Sequence, residues 1–159
     1  MYFIYIFEVI KKCKVINYNF EKQIEKRIMP TKKLSRGKIV KKLDAIFSQY
    51  IRLKDVDHLG NATCFTCGKI EHWKKLQNGH FQSRKHYSTR WLEKNCQVQC
   101  PKCNVFNYGE QFIFSKQLDI KYGDGTAEEL HIKSKQIVKY SSNELEDMIK
   151  YYKNLVESF

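Results

Sequence analysis

The sequence predicts an α+β fold in which a small metal-stabilised core is flanked by helices. Three observations carry this expectation. Two Cys-x-x-Cys pairs, Cys64/Cys67 and Cys100/Cys103, enclose a single central segment. Apolar residues recur at helical spacing before that segment and again at the end of the chain. The stretch between Thr63 and Asn104 is turn-rich and has few large apolar residues, so burial alone would not hold it in one fold.

The elements follow in chain order. The opening stretch MYFIYIFEVI is apolar but too short to span a bilayer, and it lacks a charged leader region and a small-residue cleavage site. Met29 begins a basic run, MPTKKLSRGK, and competes with Met1 as the start of translation. From Ser35 to Lys54, the residues Ile39, Leu43, Ile46, Phe47, Tyr50 and Leu53 form one stripe of an amphipathic helix with a basic outer face. Gly60-Asn61 signals a turn, and Thr63 to Phe65 starts a strand or knuckle. Gly68, directly after Cys67, suits a tight turn whose amides point back at sulfur.

The segment from His72 to Arg90 lacks helical period and is expected to be a loop around a short strand at His80-Phe81-Gln82. Val98 marks a second strand, which delivers Cys100 and Cys103 to the first turn of a helix. Helical spacing continues through Phe112, Leu118 and Tyr122 until Gly123-Asp124-Gly125 breaks it. Thr126 is expected to cap a short helix through Ala127, Leu130 and Ile132. Ser141 and Glu144 form a capping box for a last helix, from Asn143 to about Glu157, with the stripe Leu145, Met148, Ile149, Tyr152 and Leu155. The segments expected are thus an N-terminal extension (1–29), a basic helix (30–58), a metal-binding core (59–110) and C-terminal helices (111–159).

Charge narrows the partner. The chain of 159 residues carries 29 Lys and Arg against 17 Asp and Glu, a formal net charge of +12, which points to a polyanion, most commonly nucleic acid. Hydrophobic residues make up 42%, enough for a core, so global disorder is excluded. Basic residues crowd the cysteine segment, where Lys69, Lys74, Lys75, Arg84, Lys85, Arg90, Lys94 and Lys102 face only Glu71 and Glu93. A merely soluble basic protein is the blander alternative.

Two cysteine pairs with two-residue spacers are metal arithmetic rather than a disulfide framework, and they suit a reducing, cytoplasmic setting. Each knuckle can present two sulfurs to one ion, and Cys64, Cys67, Cys100 and Cys103 together close a tetrahedral shell around structural zinc. The alternative is four unrelated cysteines, with Cys100 and Cys103 redox-active as in thioredoxin-like motifs. Those motifs need a βαβ setting that is not offered here. Cys96 is expected to be a small buried residue and Cys13 incidental.

Between the knuckles stand Gly79-His80-Phe81 and Asn95, and Asn104 follows the second knuckle. This order resembles the zinc-containing HNH nucleases, whose ββα-metal or treble-clef core holds such residues around a divalent cation. Over a wider span, KLDAIFSQYIRLKD, CFTCG, NGHFQSR, NCQVQCPKCN and KYGDGTAEEL resemble the phage NinG (Rap) recombination proteins, from about Gly37 to the C-terminus.

That resemblance implies an HNH-like, metal-dependent endodeoxyribonuclease that acts on branched recombination intermediates such as Holliday junctions and D-loops. His80 would be the general base, Asn95 would brace the hairpin, and Asn104 would ligate Mg²⁺ through its amide oxygen. The position before the base, often an acid or histidine in such sites, is Gly79 here, which leaves His86 or a carboxylate elsewhere to substitute. Asn107 stands where many such chains have lysine.

Arg84, Lys85, Arg90, Lys94 and Lys102 would contact phosphates, and Tyr87 and Trp91 offer faces for stacking on unpaired bases. Phage or host recombination factors would be partners, and symmetric junction cleavage would call for a homodimer. Two other classes compete: a non-catalytic zinc-containing DNA-binding mediator, favoured by Gly79, and an RNA-binding zinc module, since charge does not separate the two nucleic acids.

Overall fold

A computed structural model of the protein describes residues 34–159; the N-terminal extension, Cys13, Met29 and the alternative start of translation lie outside the described residues. Helix α1 (Arg36–Leu53) buries Ile39, Leu43, Phe47 and Ile51, a ridge at four-residue intervals, with Val40 beside it. The expected stripe is therefore narrower and turned slightly: Leu53 is only half-buried and Ile51 takes its place. The last helix, α4 (Ser142–Glu157), packs against it through Leu145, Ile149 and Tyr152. Phe47 and Tyr152 meet edge-to-face with ring centroids 4.9 Å apart.

The α4 N-terminus has the expected capping box. Ser141 Oγ accepts from the Glu144 amide at 3.2 Å, and the Ser141 amide donates to Glu144 Oε2 at 2.6 Å.

Two small antiparallel hairpins lie between these helices in sequence. In the first, β1 (Asn61–Thr63) pairs with β2 (Ile70–His72), and Asn61 faces His72. Asp57 Oδ1 gathers the Leu59 and Asn61 amides at 2.9 and 2.8 Å and sets the turn that leads into β1. In the second, β3 (Gln77–His80) pairs with β4 (Cys96–Gln99), in register from Gln77↔Gln99 to His80↔Cys96. The strand expected at His80-Phe81-Gln82 thus ends where it was expected to begin. Its polar residues Asn78 and Gly79 give no strand signal, and cross-strand pairing decides instead.

Strand β4 is buried on both faces, which is why Cys96-Gln-Val-Gln99 shows no alternation of exposure. A bond from the Phe65 amide to the Val98 carbonyl, 2.7 Å, ties the first knuckle to β4.

After β4, Pro101 opens one π-helical turn (Lys102–Phe106) rather than the expected α-helical first turn. Helix α2 (Gln111–Tyr122) covers the expected helical spacing and buries Phe114 and Leu118, while Phe112 is exposed. Gly123, at φ 105°, ends α2 in a conformation closed to most side chains. In α3 (Thr126–Ser134), Leu130 is buried and Ile132 is exposed. Thr126 is the first helical residue and not its cap: its hydroxyl donates to the Gly123 carbonyl at 2.7 Å. The free amide of Ala127 is satisfied by Asp119 of α2 at 2.9 Å, a cap supplied across space.

The main core joins α1, α4 and both hairpins, and a smaller one joins Phe114, Leu118 and Leu130 with Phe65 and Phe81. Arg36–Phe159 is one compact unit. Among the described residues no helix is long and apolar enough to cross a membrane.

Candidate metal centre and adjoining histidine

The hairpins bring the two Cys-x-x-Cys pairs together. The Sγ atoms of Cys64, Cys67, Cys100 and Cys103 all lie within 4.8 Å of one another, with Cys67 and Cys100 at 3.8 Å. Sulfurs around a tetrahedral zinc are about 3.8 Å apart, as a Zn–S bond of about 2.3 Å requires. The cluster therefore fits a metal such as zinc. Three of the four cysteines are buried and Cys67 is exposed.

Local backbone shapes the donors. Gly68, at φ 73°, turns the first knuckle, but its amide donates to the Cys64 carbonyl at 2.9 Å and not to sulfur. Sulfur contacts come from both knuckles: the Cys67 amide reaches Cys64 and the Lys69 amide reaches Cys67 within the first, and the Cys100 amide of the second donates to Cys64 Sγ at 3.2 Å. Burial alone would lift the Cys64 thiol, yet the Cys100 and Cys67 amides and the Thr66 hydroxyl bring it down to about 6. Its neighbours move the other way: burial pushes Cys103 up to about 12 and Cys67 above the ordinary thiol range. A divalent cation at the centre would displace those protons and turn four crowded sulfurs into four ligands. Cys96 stands apart, as expected: it is buried, burial drives its thiol strongly upward, and its sulfur bonds the Arg90 carbonyl at 3.6 Å.

His80, at the end of β3, lies beside the loop 81–95. Its Nε2 meets the Arg90 carbonyl at 3.1 Å, and a carbonyl only accepts, so Nε2 carries the proton. The lone pair is then on Nδ1, which faces Arg84 Nε at 3.5 Å. Burial and the Arg84 charge lower its pKa to about 4, so the ring is neutral at physiological pH.

Asn95 is fully buried and holds this loop as a brace. Its Oδ1 accepts from the Gln82 amide at 2.7 Å, while Nδ2 donates to the Gln82 and Thr89 carbonyls at 3.0 and 3.1 Å.

Asn104 is placed elsewhere. Its Nδ2 donates to Gln77 Oε1 at 2.7 Å, at the other end of β3. Residues 77 and 80 project to opposite faces of that strand, so Asn104 and His80 engage different sides of the hairpin. Among the described residues, the four cysteines are the only group of three or more His, Cys, Asp or Glu side chains close enough to hold a metal. The residues around Asn104 thus do not assemble a shell for Mg²⁺, a cation that prefers carboxylate oxygens.

Gly79 has a structural reason: a Cβ there would meet Gln99 Oε1 at 2.0 Å. The space that a ligand side chain would need is filled by the Gln99 carboxamide.

The expected phosphate contacts divide. Lys85, Lys94, Lys102 and Arg84 are exposed. Arg90 instead points inward, with Nη2 and Nε on Asp44 at 2.6 and 3.0 Å and Nη1 on the Arg84 carbonyl at 2.8 Å. The Trp91 indole donates to the same Asp44 at 2.9 Å. Asp44, the lone acid of the basic helix, gave no functional signal in sequence, yet it organises this corner.

Fold and site together define a small basic α+β protein with a cluster of four cysteines that could hold a metal. The chain belongs to the family described as the bacteriophage lambda NinG protein, whose model matches residues 10–159. The match reaches well upstream of Gly37, where the sequence motifs begin. No curated protein and no solved structure is significantly similar to the chain. Membership of this family suggests a phage recombination-related role.

Proposed function

We propose that this protein is a structure-selective, HNH-like endodeoxyribonuclease, cytoplasmic in its setting, that cuts branched DNA formed during phage recombination. The observation that carries the reading is His80: a neutral imidazole whose proton is held on Nε2 by the Arg90 carbonyl, leaving Nδ1 as the basic atom. A general base must offer a lone pair at operating pH, and this ring does. The burial and Arg84 charge that keep it neutral also weaken it as a base, so Arg84 must leave Nδ1 and the pKa must rise toward neutrality for efficient proton transfer. Arg84 now faces that lone pair. Arg84 is exposed and can move onto a phosphate, which would uncover Nδ1 for a water aimed at phosphorus.

Asn95 fixes the loop whose Arg90 carbonyl orients the ring, which makes it a positioning residue. Zinc on the four thiolates would hold both hairpins in register and take no part in the chemistry. The described residues offer no fitting shell for Mg²⁺, so no step is assigned to it.

The test is cleavage of a labelled four-way junction beside matched linear duplex, with Mg²⁺ or Mn²⁺ and with EDTA. Wild type should cut the junction selectively, and His80→Ala should lose about 100-fold or more while keeping DNA binding and zinc. His80→Gln, whose amide can keep the Arg90 bond, controls for folding. Unchanged cutting by both variants removes His80 from the mechanism.

A second reading, a non-catalytic DNA-binding recombination mediator, is favoured by one feature: among the described residues the only cluster of three or more His, Cys, Asp or Glu side chains that could hold a metal is the four cysteines, and the space at Gly79 is filled by Gln99. Tight junction binding without cutting under any divalent metal would select it.

A further inference from the structure

The aromatics that the sequence offers for base stacking are not available for it. Trp91 is 5% exposed and Tyr87 packs edge-on against it. Three exposed rings lie close together in the chain just after the second knuckle: Phe106 at 73% and Tyr108 at 88% in the turn before α2, and Phe112 at 72% in the first turn of α2.

The backbone bearing them is tightly held. The Gly109 amide donates to the Cys103 carbonyl at 2.8 Å, and its carbonyl accepts from the buried Gln99 carboxamide at 2.9 Å. The Asn107 amide returns to the Lys102 carbonyl at 2.8 Å. Tyr108 and Glu110 have φ of 51° and 50°, left-handed values that side chains larger than Asn or Gly rarely take. Such strain persists only where the surroundings impose it, and it collects at functional positions. Nothing in the fold requires a bulky ring at 108, because the side chain touches water.

Cations accompany the rings. The Lys116 ammonium lies 4.9 Å from the Phe112 ring centroid. Lys69, Lys75 and Lys102, with Glu71 and Glu110 among them, line an open cleft of about 590 Å³ over the second knuckle, beside the same turn; Glu71 is paired with Lys69. Neither Lys75 nor Lys102 forms an ion pair among the described residues.

We propose that Phe106, Tyr108 and Phe112 form a stacking platform for unpaired bases at a DNA branch point, with the strand's phosphates running past Lys75, Lys102 and Lys116. This rests on the branched-DNA reading above and gives that reading its means of recognition. A nucleotide presents a π face and a negative charge, and rings interleaved with lysines complement both. A second copy of this chain would instead set the same lysines against one another.

The test uses the full chain loaded with zinc, a four-way junction carrying 2-aminopurine at the branch, and the matched linear duplex. The variant is Phe106→Ala/Tyr108→Asn/Phe112→Ala, in which Asn suits the left-handed turn, with zinc content and melting confirming the fold. Wild type should prefer the junction and alter the 2-aminopurine emission. The triple variant should lose about tenfold or more in junction affinity and the emission change, with duplex affinity kept within about twofold.

A junction preference that survives in the triple variant overturns the platform and leaves the branched-DNA reading standing. Wild type that binds neither DNA overturns both. A variant changed only in self-association identifies the face as a contact between copies and also overturns the platform.

Discussion

The α1/α4 pair and the hairpin region are held together by different physics. Between the two helices the contact is apolar: Ile39, Leu43, Phe47 and Ile51 against Leu145, Ile149 and Tyr152. Burial of such side chains contributes about 1.5–3 kcal/mol each, whatever the detailed geometry. In the hairpin region the buried side chains include Asn78, Thr89, Asn95, Gln97 and Gln99. Polar groups there are tolerable only when bonded, and most are: Gln97 Nε2, for example, donates to the Glu93 carbonyl and the Tyr122 hydroxyl, each at 3.0 Å. Three buried atoms, Asn78 Oδ1, Ser88 Oγ and Gln99 Oε1, have no hydrogen-bond partner among the described residues. A region of this composition gains little from burial, and a metal held by the four cysteines would supply what the apolar core does not.

The largest expected effect follows directly. Cys100→Ser, or stripping the metal with a strong chelator, should remove about 10 kcal/mol of binding energy that is also folding energy. Hydrogen exchange should then quicken first across 61–110 and last in α1 and α4. Equal loss of protection everywhere would show that the two regions fold as one cooperative unit. Metal analysis of the purified protein should give one zinc per chain, and none for the variant.

Next in size, Phe47→Ala should cost about 3–5 kcal/mol in chemical denaturation, because the site is closed on all sides, while metal content stays unchanged. Zinc lost along with Phe47 would mean that the helical layer holds the knuckles in place.

His80 offers a third contrast, in pH. Its folded pKa, about 4, lies below the ordinary 6.5, so the unfolded chain binds the proton more tightly. The stabilisation is therefore complete above about pH 6.5 and is lost as pH falls toward 4, roughly 3 kcal/mol in all. Denaturation midpoints measured across that window should fall more steeply for wild type than for His80→Gln. Parallel profiles would contradict the burial of a neutral ring.

The smallest effect belongs to the capping box, where Ser141→Ala should cost about 1 kcal/mol and leave both the metal and any DNA binding untouched.

What the sequence could show divides along the same line. The α1 and α4 helices were legible because a period of 3.6 residues is a local signal, and Ser141 with Glu144 is a local cap. Even there the stripe on α1 was misjudged at Leu53, since which flank of a helix is covered depends on what packs against it. The four cysteines were legible because one ion needs four donors and a two-residue spacer supplies them in pairs.

The second hairpin was legible only in part. Its strand at Gln77–His80 carries Asn and Gly and has no strand pattern of its own. For Trp91 the sequence left two environments open, a stacking face and a core position, and its burial is decided by distant chain; so is the turning of Arg90 onto Asp44.

The sequence by itself determined the basic charge, the metal donors, the two amphipathic helices and the motif order that marks the family. Tertiary structure alone decided that Asp44 captures Arg90 and Trp91, that Gln99 fills the space at Gly79, and that His80 and Asn104 engage opposite faces of one hairpin. Local patterns record which residue types a segment can use; a contact between residues far apart in the chain leaves no trace in either one's neighbours until packing brings them together.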